Sequence, residues 1–523
     1  MNKSQSGVTI AGRAISFEVL LIILFATVKI LIHFFTHVNF ELHRDAYLYY
    51  AQSEHIAWGF SSVPPLNAVM GKIATLIFGN TSFGLRFFPA LIGGANLIII
   101  GLAVRELGGK ALAISLASLA FILSPAYLHT NALFQPVSLN QFFWLLSEYL
   151  LLLMIKRDDS KFWLWIALVF GLAFLNKYSI VFLDAALGLA VLVSPYRYHY
   201  KSKYFLYGIA LGFLMILPNL IWQYQNNWPV IMHLSELRET QLIHVKISDF
   251  LLDQVMMNSQ ALLLWLGALL VPLFYKKESH YRIFSWLFIF VVLVLVFGSG
   301  KSYYTLGAYP ILFAFGAYFT EKYLSKGLYM VFGFLVVSMV IALYVSQSFD
   351  GIPLSTVEKT IKKAGFRWED GVYHDLPQDM ADMTGWSELG EEVAKVFYSL
   401  GPENMNNCDI FCYHYGQAGA VMFYGKKQHV PQPISFNDSF VFWAPDSLTK
   451  DYMIWVHSGL EREFDPDSSL PDMFEHVELM YVMDNKYFRE DATRIYLCQS
   501  PSDDYKAYYK TRIKGLRDRY QND

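Results

Sequence analysis

The sequence predicts a polytopic α-helical membrane protein with a soluble α/β domain at its C-terminal end. Composition, charge asymmetry and a succession of apolar runs predict it. Of 523 residues, 54% are hydrophobic and 17% aromatic, and the mean hydropathy is +0.32. Such a chain is too apolar for an ordinary soluble protein. The net charge of -3 conceals two unlike parts: residues 1–349 carry 23 Lys and Arg against 15 Asp and Glu, whereas residues 350–523 carry 18 against 29. A domain boundary is therefore expected near Asp350, between a multi-pass part (1–349) and an acidic part (350–523).

The first apolar run, about Ser16 to Phe35, follows Lys3 and Arg13. It is too long for a typical signal-peptide core, and no small-x-small cleavage site follows it. An uncleaved first membrane helix is expected. Ten further runs of membrane length follow, giving eleven in all: 16–36, 84–104, 111–128, 138–155, 162–176, 178–194, 204–222, 256–275, 283–299, 304–320 and 327–346. If the N-terminus is cytoplasmic, the connecting segments place fifteen basic residues on the cytoplasmic side and seven on the other. That bias favours this orientation, which leaves the C-terminal domain outside.

Two outer loops are long, about 37–83 and 223–255. The first contains an amphipathic stretch around Leu66 to Phe78 suited to the membrane interface. All the cytoplasmic loops are short, so a site belongs on the outer face.

The tail reads as globular. WSELGEEVAKVFYSL (386–400) has helical period, with Leu389, Val393, Val396 and Phe397 on one face. DIFCYHY (409–415), DYMIWVHSG (451–459) and TRIYLC (493–498) read as strands, so helices and strands alternate. Gly416 and Gly419 lack the third glycine and following acid of a dinucleotide fingerprint. Cys408, Cys412 and Cys498 show no metal-type pair spacing. Buried thiols and a single disulfide both fit them.

Chemistry concentrates in the first outer loop, ELHRDAYLYYAQSEHIAWGFSSVPPL (41–66). A carboxylate at Asp45 lies where a membrane helix should emerge into water, and ionisable groups there are costly unless paired or working. Such a carboxylate can deprotonate an acceptor or hold a divalent metal. It can equally cap a helix beginning at Ala46 and do nothing more. Glu41 and Glu54 read as solvated surface. Lys177 and Lys301 lie in short outer turns, NKYS and GSGKSYY, each beside tyrosine. Point charges of that kind suit a phosphate at the interface, although a lone lysine at a helix end more often snorkels. Arg44, Arg86 and Arg238 are weaker candidates. His43, His55, His129, His233 and His244 form no metal-ligand pair on one helix and read as structural. Glu148 and Asp184 lie inside spans, where interhelical hydrogen bonding is the usual role.

Several segments, in order, resemble bacterial family 39 glycosyltransferases of the GT-C fold. These are relatives of protein O-mannosyltransferases and of the enzymes that add aminoarabinose to lipid A. RDAYLYYAQSEHIAWGFSSVPPL resembles the family's first outer loop, and FGNTSFGLRFFPAL, GLAFLNKYS, LPNLIWQYQNNWP and GKSYYTLGAYPIL resemble later stretches. LPQDMADMTGW and YHYGQAGAVMFYG resemble a domain attached in one bacterial branch. The resemblance implies a sugar donor on a polyprenyl phosphate and inversion at the anomeric carbon. It implies Asp45 as the catalytic acid-base residue, with Lys301, Lys177 and Arg44 on the donor phosphate. Tyr47, Tyr50, His55, Pro64, Pro65, Tyr303 and Tyr304 would line the substrate loops. The acceptor would be a lipid, glycan or protein, and no nucleic-acid partner is expected. A divalent metal is the one cofactor such chemistry admits. The family's usual Glu after the catalytic Asp is Ala46 here, which removes the second carboxylate of a two-acid or metal site. Two other readings stay open: a carrier or flippase of lipid-linked sugars, and a catalytically degenerate binding partner. The tail is expected to bind the acceptor or a partner, or to cover the site.

Overall fold

The computed structural model describes residues 7–10, 13–36, 38, 40–240, 246–324, 328–346, 366–368, 372–374, 376–459 and 464–519. His244 lies outside these. The chain forms two compact units: Met1–His37, Arg86–Asn219 and Leu237–Ile352 in the first, and Val38–Leu85, Leu220–Glu236 and Pro353–Asp523 in the second. The division does not fall at a single cut near Asp350. The first outer loop and part of the second pack with the acidic tail because they share its core.

The first unit is helical. By length and composition, five helices among the described residues could cross a membrane: Phe17–Thr36, Ser82–Leu107, Pro136–Arg157, Lys203–Gln225 (whose last residues join the second unit) and Lys276–Phe297. Two bent pairs raise the number to seven if each is one span: Ile180–Val193 with Pro195–Lys201, and Ile247–Met256 with Ser259–Phe274. Prolines explain why several apolar runs are not single long helices. Run 111–128 breaks into Ala111–Ile122 and Pro125–Thr130, with Pro125 placed where a helix starts and needs no amide donor. Run 304–320 starts as a 3-10 segment and becomes the helix Tyr309–Tyr323.

Close backbone approach holds this unit together. A Cβ on Gly316 would lie 2.1 Å from the Leu264 carbonyl oxygen, so only glycine lets Tyr309–Tyr323 seat against Leu262–Phe274. Lys29, fully buried in the first helix, donates to the Tyr127 carbonyl at 2.9 Å and lies over the Phe121 ring. The cation thus meets the negative end of the short helix Pro125–Thr130.

The second unit is built on a four-stranded sheet in the order Cys408–Cys412, Tyr452–His457, Arg494–Pro501, Phe474–Val482. The first pair is parallel and the others antiparallel. Helix Trp386–Ser399 buries Leu389, Val393, Val396 and Phe397, the face that its period specifies. The stretch 409–415 is only partly strand: it ends at Cys412, and His414 caps a helix, Tyr415–Gly425, through a reciprocal pair of bonds with Gln417. The three cysteines are free and buried.

Gly416 and Gly419 have a packing role. Helix Tyr415–Gly425 crosses helix Arg44–Glu54 so closely that a Cβ on Gly419 would lie 2.6 Å from the Tyr47 carbonyl group, and one on Gly416 would lie 2.6 Å from Arg44 Cγ. The amphipathic stretch is the helix Leu66–Phe78, with Leu76 and Ile77 exposed.

Candidate active site

Helix Arg44–Glu54 carries Asp45 in its first turn, and its cap is His43, whose Nδ1 accepts from the Asp45 amide at 3.2 Å. Capping is thus done by His43, which leaves the Asp45 carboxylate for other partners. Tyr415 donates its hydroxyl to Asp45 Oδ1 at 2.7 Å. Arg44 Nε lies 3.8 Å from the same oxygen, and His43 Nδ1 lies 4.0 Å from Oδ2. Burial pushes the Asp45 carboxyl up, but His43, Arg44 and the Tyr415 hydroxyl outweigh it and hold the group below the usual carboxylate range. The positive end of the helix favours the same ionised form.

A second layer of charge sits behind it. Asp382 accepts two bonds from Arg489, at 2.8 and 3.1 Å, and lies 3.8 Å from Arg44 Nε. Glu490 accepts from Gln417 at 2.7 Å and lies 3.8 Å from His414 Nδ1. Burial, reinforced by Arg44 and Arg489, holds His414 well below its usual range and hence neutral. Glu41 is not solvated surface. It accepts from the Trp386 amide at 2.6 Å and the Ser387 amide at 3.2 Å, satisfying helix donors whose own cap, Gly385, has no side chain to offer. Glu54 likewise pairs with Lys72 at 3.1 Å and with Lys426.

Several expected substrate contacts are packing residues. Tyr47 and Tyr50 are fully buried against Phe423, because positions three apart share a helix face. Pro64 and Pro65 are also buried, at the start of helix Leu66–Phe78. Arg44 lies among Asp45, Asp382 and the Tyr415 ring, with Nε 3.8 Å from each carboxylate. His55 keeps an exposed edge at the far end of its helix, stacked on Trp443.

Within the first unit, the two lysine turns meet. Lys177 Nζ lies 4.9 Å from the Tyr304 ring centre and 5.6 Å from that of Tyr303, and these tyrosines follow Lys301 directly after Ser302. Both lysines are half-buried. Glu148 and Asp184 are enclosed in the same unit, each with one carboxylate oxygen that lacks a hydrogen-bond partner among the described residues.

Tyr415, Asp382, Arg489, Glu490 and His414 were not singled out from sequence. Asp382 and Tyr415 do lie in the two tail segments that carried the resemblance. His43, Asp379 and Asp382 bring one potential metal-ligand atom each within 4.8 Å of one another. The surroundings do not fit a divalent cation, since Arg489 already occupies both oxygens of Asp382 and Arg44 stands beside it.

The membrane-length helices and the likeness to solved structures define a class: a membrane protein with the GT-C fold. Residues 62–222 match the family described as dolichyl-phosphate-mannose-protein mannosyltransferase, a span that starts beyond Asp45. Among solved structures, the chain is similar to ArnT from Cupriavidus metallidurans bound to undecaprenyl phosphate, with 12% identity over 91% of this chain and 97% of that one and a TM-score of 0.63. The apo state of the same protein gives 12% identity, the same coverage and a TM-score of 0.61. The arabinofuranosyltransferase AftD from Mycobacteria matches at 12% identity over 92% of this chain and 42% of that one, with a TM-score of 0.46. No curated protein sequence matches the chain significantly. The expected resemblance to GT-C glycosyltransferases is borne out.

Proposed function

We propose that the protein transfers a sugar from a polyprenyl-phosphate donor to a hydroxyl or amine of a glycan, lipid or protein at the outer face of the inner membrane. The observation that carries this reading is the Asp45 carboxylate, held ionised by His43, Arg44 and Tyr415 at the start of the loop helix. The ArnT structure with undecaprenyl phosphate supports the donor class. Eleven spans, a cytoplasmic N-terminus and a periplasmic tail are part of the proposal, supported by the basic bias of the short loops.

In the reaction, the acceptor oxygen or nitrogen attacks the anomeric carbon. The bond from that carbon to the phosphate oxygen breaks, and its electron pair goes to the phosphate. The acceptor proton goes to Asp45, and the configuration inverts. A carboxylate of low pKa is a weak base, so Asp45 first orients the acceptor and takes the proton late, as positive charge develops on the attacking atom. Lys177 and Lys301 stabilise the departing lipid phosphate, which gains most from fixed positive charge.

The test incubates purified protein with undecaprenyl-phosphate sugars and an acceptor extract, and follows release of undecaprenyl phosphate. Wild type should release it, and Asp45→Asn should lose roughly 10²–10⁴-fold in rate while keeping its fold. An Asp45→Asn variant as active as wild type removes Asp45 from the mechanism. No release by wild type with any donor shifts weight to the carrier reading, for which Glu148 and Asp184 are the residues to examine.

A further inference from the structure

The second unit contains a pocket of about 420 Å³ away from Asp45, lined by His55, Asp409, Gln432, Ile434, Trp443 and two prolines. Its size falls within the roughly 300–1,000 Å³ of small-molecule sites. His55 follows Asp45 by ten positions at the other end of the same helix, and at about 1.5 Å per residue that is roughly 15 Å.

One wall is a stack of two aromatic rings, whose outer face serves as the platform. His55 and Trp443 stack with ring centres 4.1 Å apart and planes 15° apart, and Phe440 supports the indole edge-on at 5.2 Å. Both platform rings are only half-buried. The opposite wall is rigid backbone. Ile434 donates to the Ile410 carbonyl at 2.7 Å, and its own carbonyl accepts from Cys412 at 2.9 Å, so this segment extends the sheet. Gln432 lies at the mouth, with Oε1 2.8 Å from His55 Nε2. The Asp409 carboxylate is braced by Lys450 at 3.0 Å.

These walls select a ligand class. Rings and prolines suit a C–H face, while an amide and a carboxylate suit hydroxyl donors. No lysine or arginine lines the pocket, and burial holds His55 below its usual range, so an anionic phosphate gains nothing there. An aliphatic chain would meet an amide and a carboxylate where it needs apolar walls. We propose that this pocket is a saccharide subsite that stacks one uncharged sugar ring on the His55–Trp443 platform. That the ring belongs to the acceptor rests on the transfer reaction proposed above; the binding itself does not.

The test is saturation-transfer NMR on the full chain in a detergent without a sugar headgroup. The probes are the methyl glycosides of glucose, galactose, mannose and N-acetylglucosamine. At least one should receive saturation from the wild type. Trp443→Ala should weaken its binding by about tenfold, the loss of a good stacking partner. Gln432→Ala, an exposed position that should not disturb folding, should weaken it measurably. Binding of no glycoside, or equal binding by wild type and both variants, overturns the proposal. A protein that binds glycosides through Trp443 but releases no polyprenyl phosphate keeps the subsite and loses the transferase reading.

Discussion

The hydroxyl of Tyr415 donates to Asp45 Oδ1 at 2.7 Å across 370 positions of sequence. The tail therefore does more than stand beside the loop: it supplies a partner to the residue that the proposed reaction depends on. Tyr415 is a positioning residue, because it acts through Asp45.

Tyr415→Phe should lower kcat by about tenfold, the worth of one hydrogen bond to a charged group, with little change in KM for the donor. The sign of its pH effect follows from which form is stabilised. The hydroxyl bonds the ionised carboxylate, so losing it raises the pKa of Asp45 and moves the acidic fall in activity to higher pH. A pH–rate profile with an unmoved acidic limb would leave Tyr415 as packing alone.

The same depressed pKa links Asp45 to stability. It contributes stability above its unfolded value of about 3.9, and that contribution is lost as pH falls through the lower folded value. Asp45→Asn should therefore lower the melting temperature near pH 8 and converge with wild type as the pH falls through the folded value, whereas a variant that melts like wild type near pH 8 would contradict the assigned ion pairs.

Ala46→Glu, which restores the family's usual acid, should not improve the enzyme. Ala46 is fully buried, and a longer, charged side chain there would overpack the helix crossing at a cost of about 1–3 kcal/mol or more. A thermal-shift measurement should show a lower melting temperature and no gain in turnover. An increase in both would mean that the position has room for a second carboxylate.

Gly419→Ala and Gly515→Ala make a matched pair. The first puts a Cβ 2.6 Å from the Tyr47 carbonyl group, whereas the second meets nothing within 4 Å on helix Asp503–Arg519. Gly419→Ala should destabilise by about 1–3 kcal/mol, and Gly515→Ala should stabilise by up to about 1 kcal/mol. Limited proteolysis of the tail reads both. Equal protection in the two variants would argue against the close helix crossing.

Lys177→Met should raise KM for the lipid donor by about tenfold, the loss of one partly exposed phosphate contact. Because Lys177 also lies over Tyr303 and Tyr304, Lys177→Arg should restore part of the affinity. An unchanged KM for the methionine variant would assign Lys177 to the aromatic contact alone.

The helical part of the fold was legible because apolar runs of membrane length carry their own signal, but where each helix breaks was not. Pro125 cuts one run and a 3-10 turn begins another, and composition alone does not register either event. In the tail, the apolar run of Tyr452–His457, buried at every position after the first, and the periodic face of Trp386–Ser399 were readable. The strand Phe474–Val482, with most of its residues exposed or half-buried, lacked a clean apolar alternation. Asp45 stood out as a carboxylate at a membrane boundary. Its partners did not, since Asp382, Tyr415, Arg489 and Glu490 reach it only through the fold. Tyr47 and Tyr50 looked like substrate contacts for the converse reason: aromatic residues beside an acid suggest a site, and nothing local shows that another helix covers them.

The Glu41 carboxylate satisfies the first amides of helix Trp386–Ser399, some 345 residues downstream. A ribosome makes the two ends of this contact far apart in time. The membrane helices therefore enter the bilayer while Asp45 has His43 and Arg44 beside it but still lacks the Tyr415 hydroxyl. A chain released early would carry the loop helix Arg44–Glu54 without the helix Tyr415–Gly425 that packs on it and without the hydroxyl bonded to Asp45.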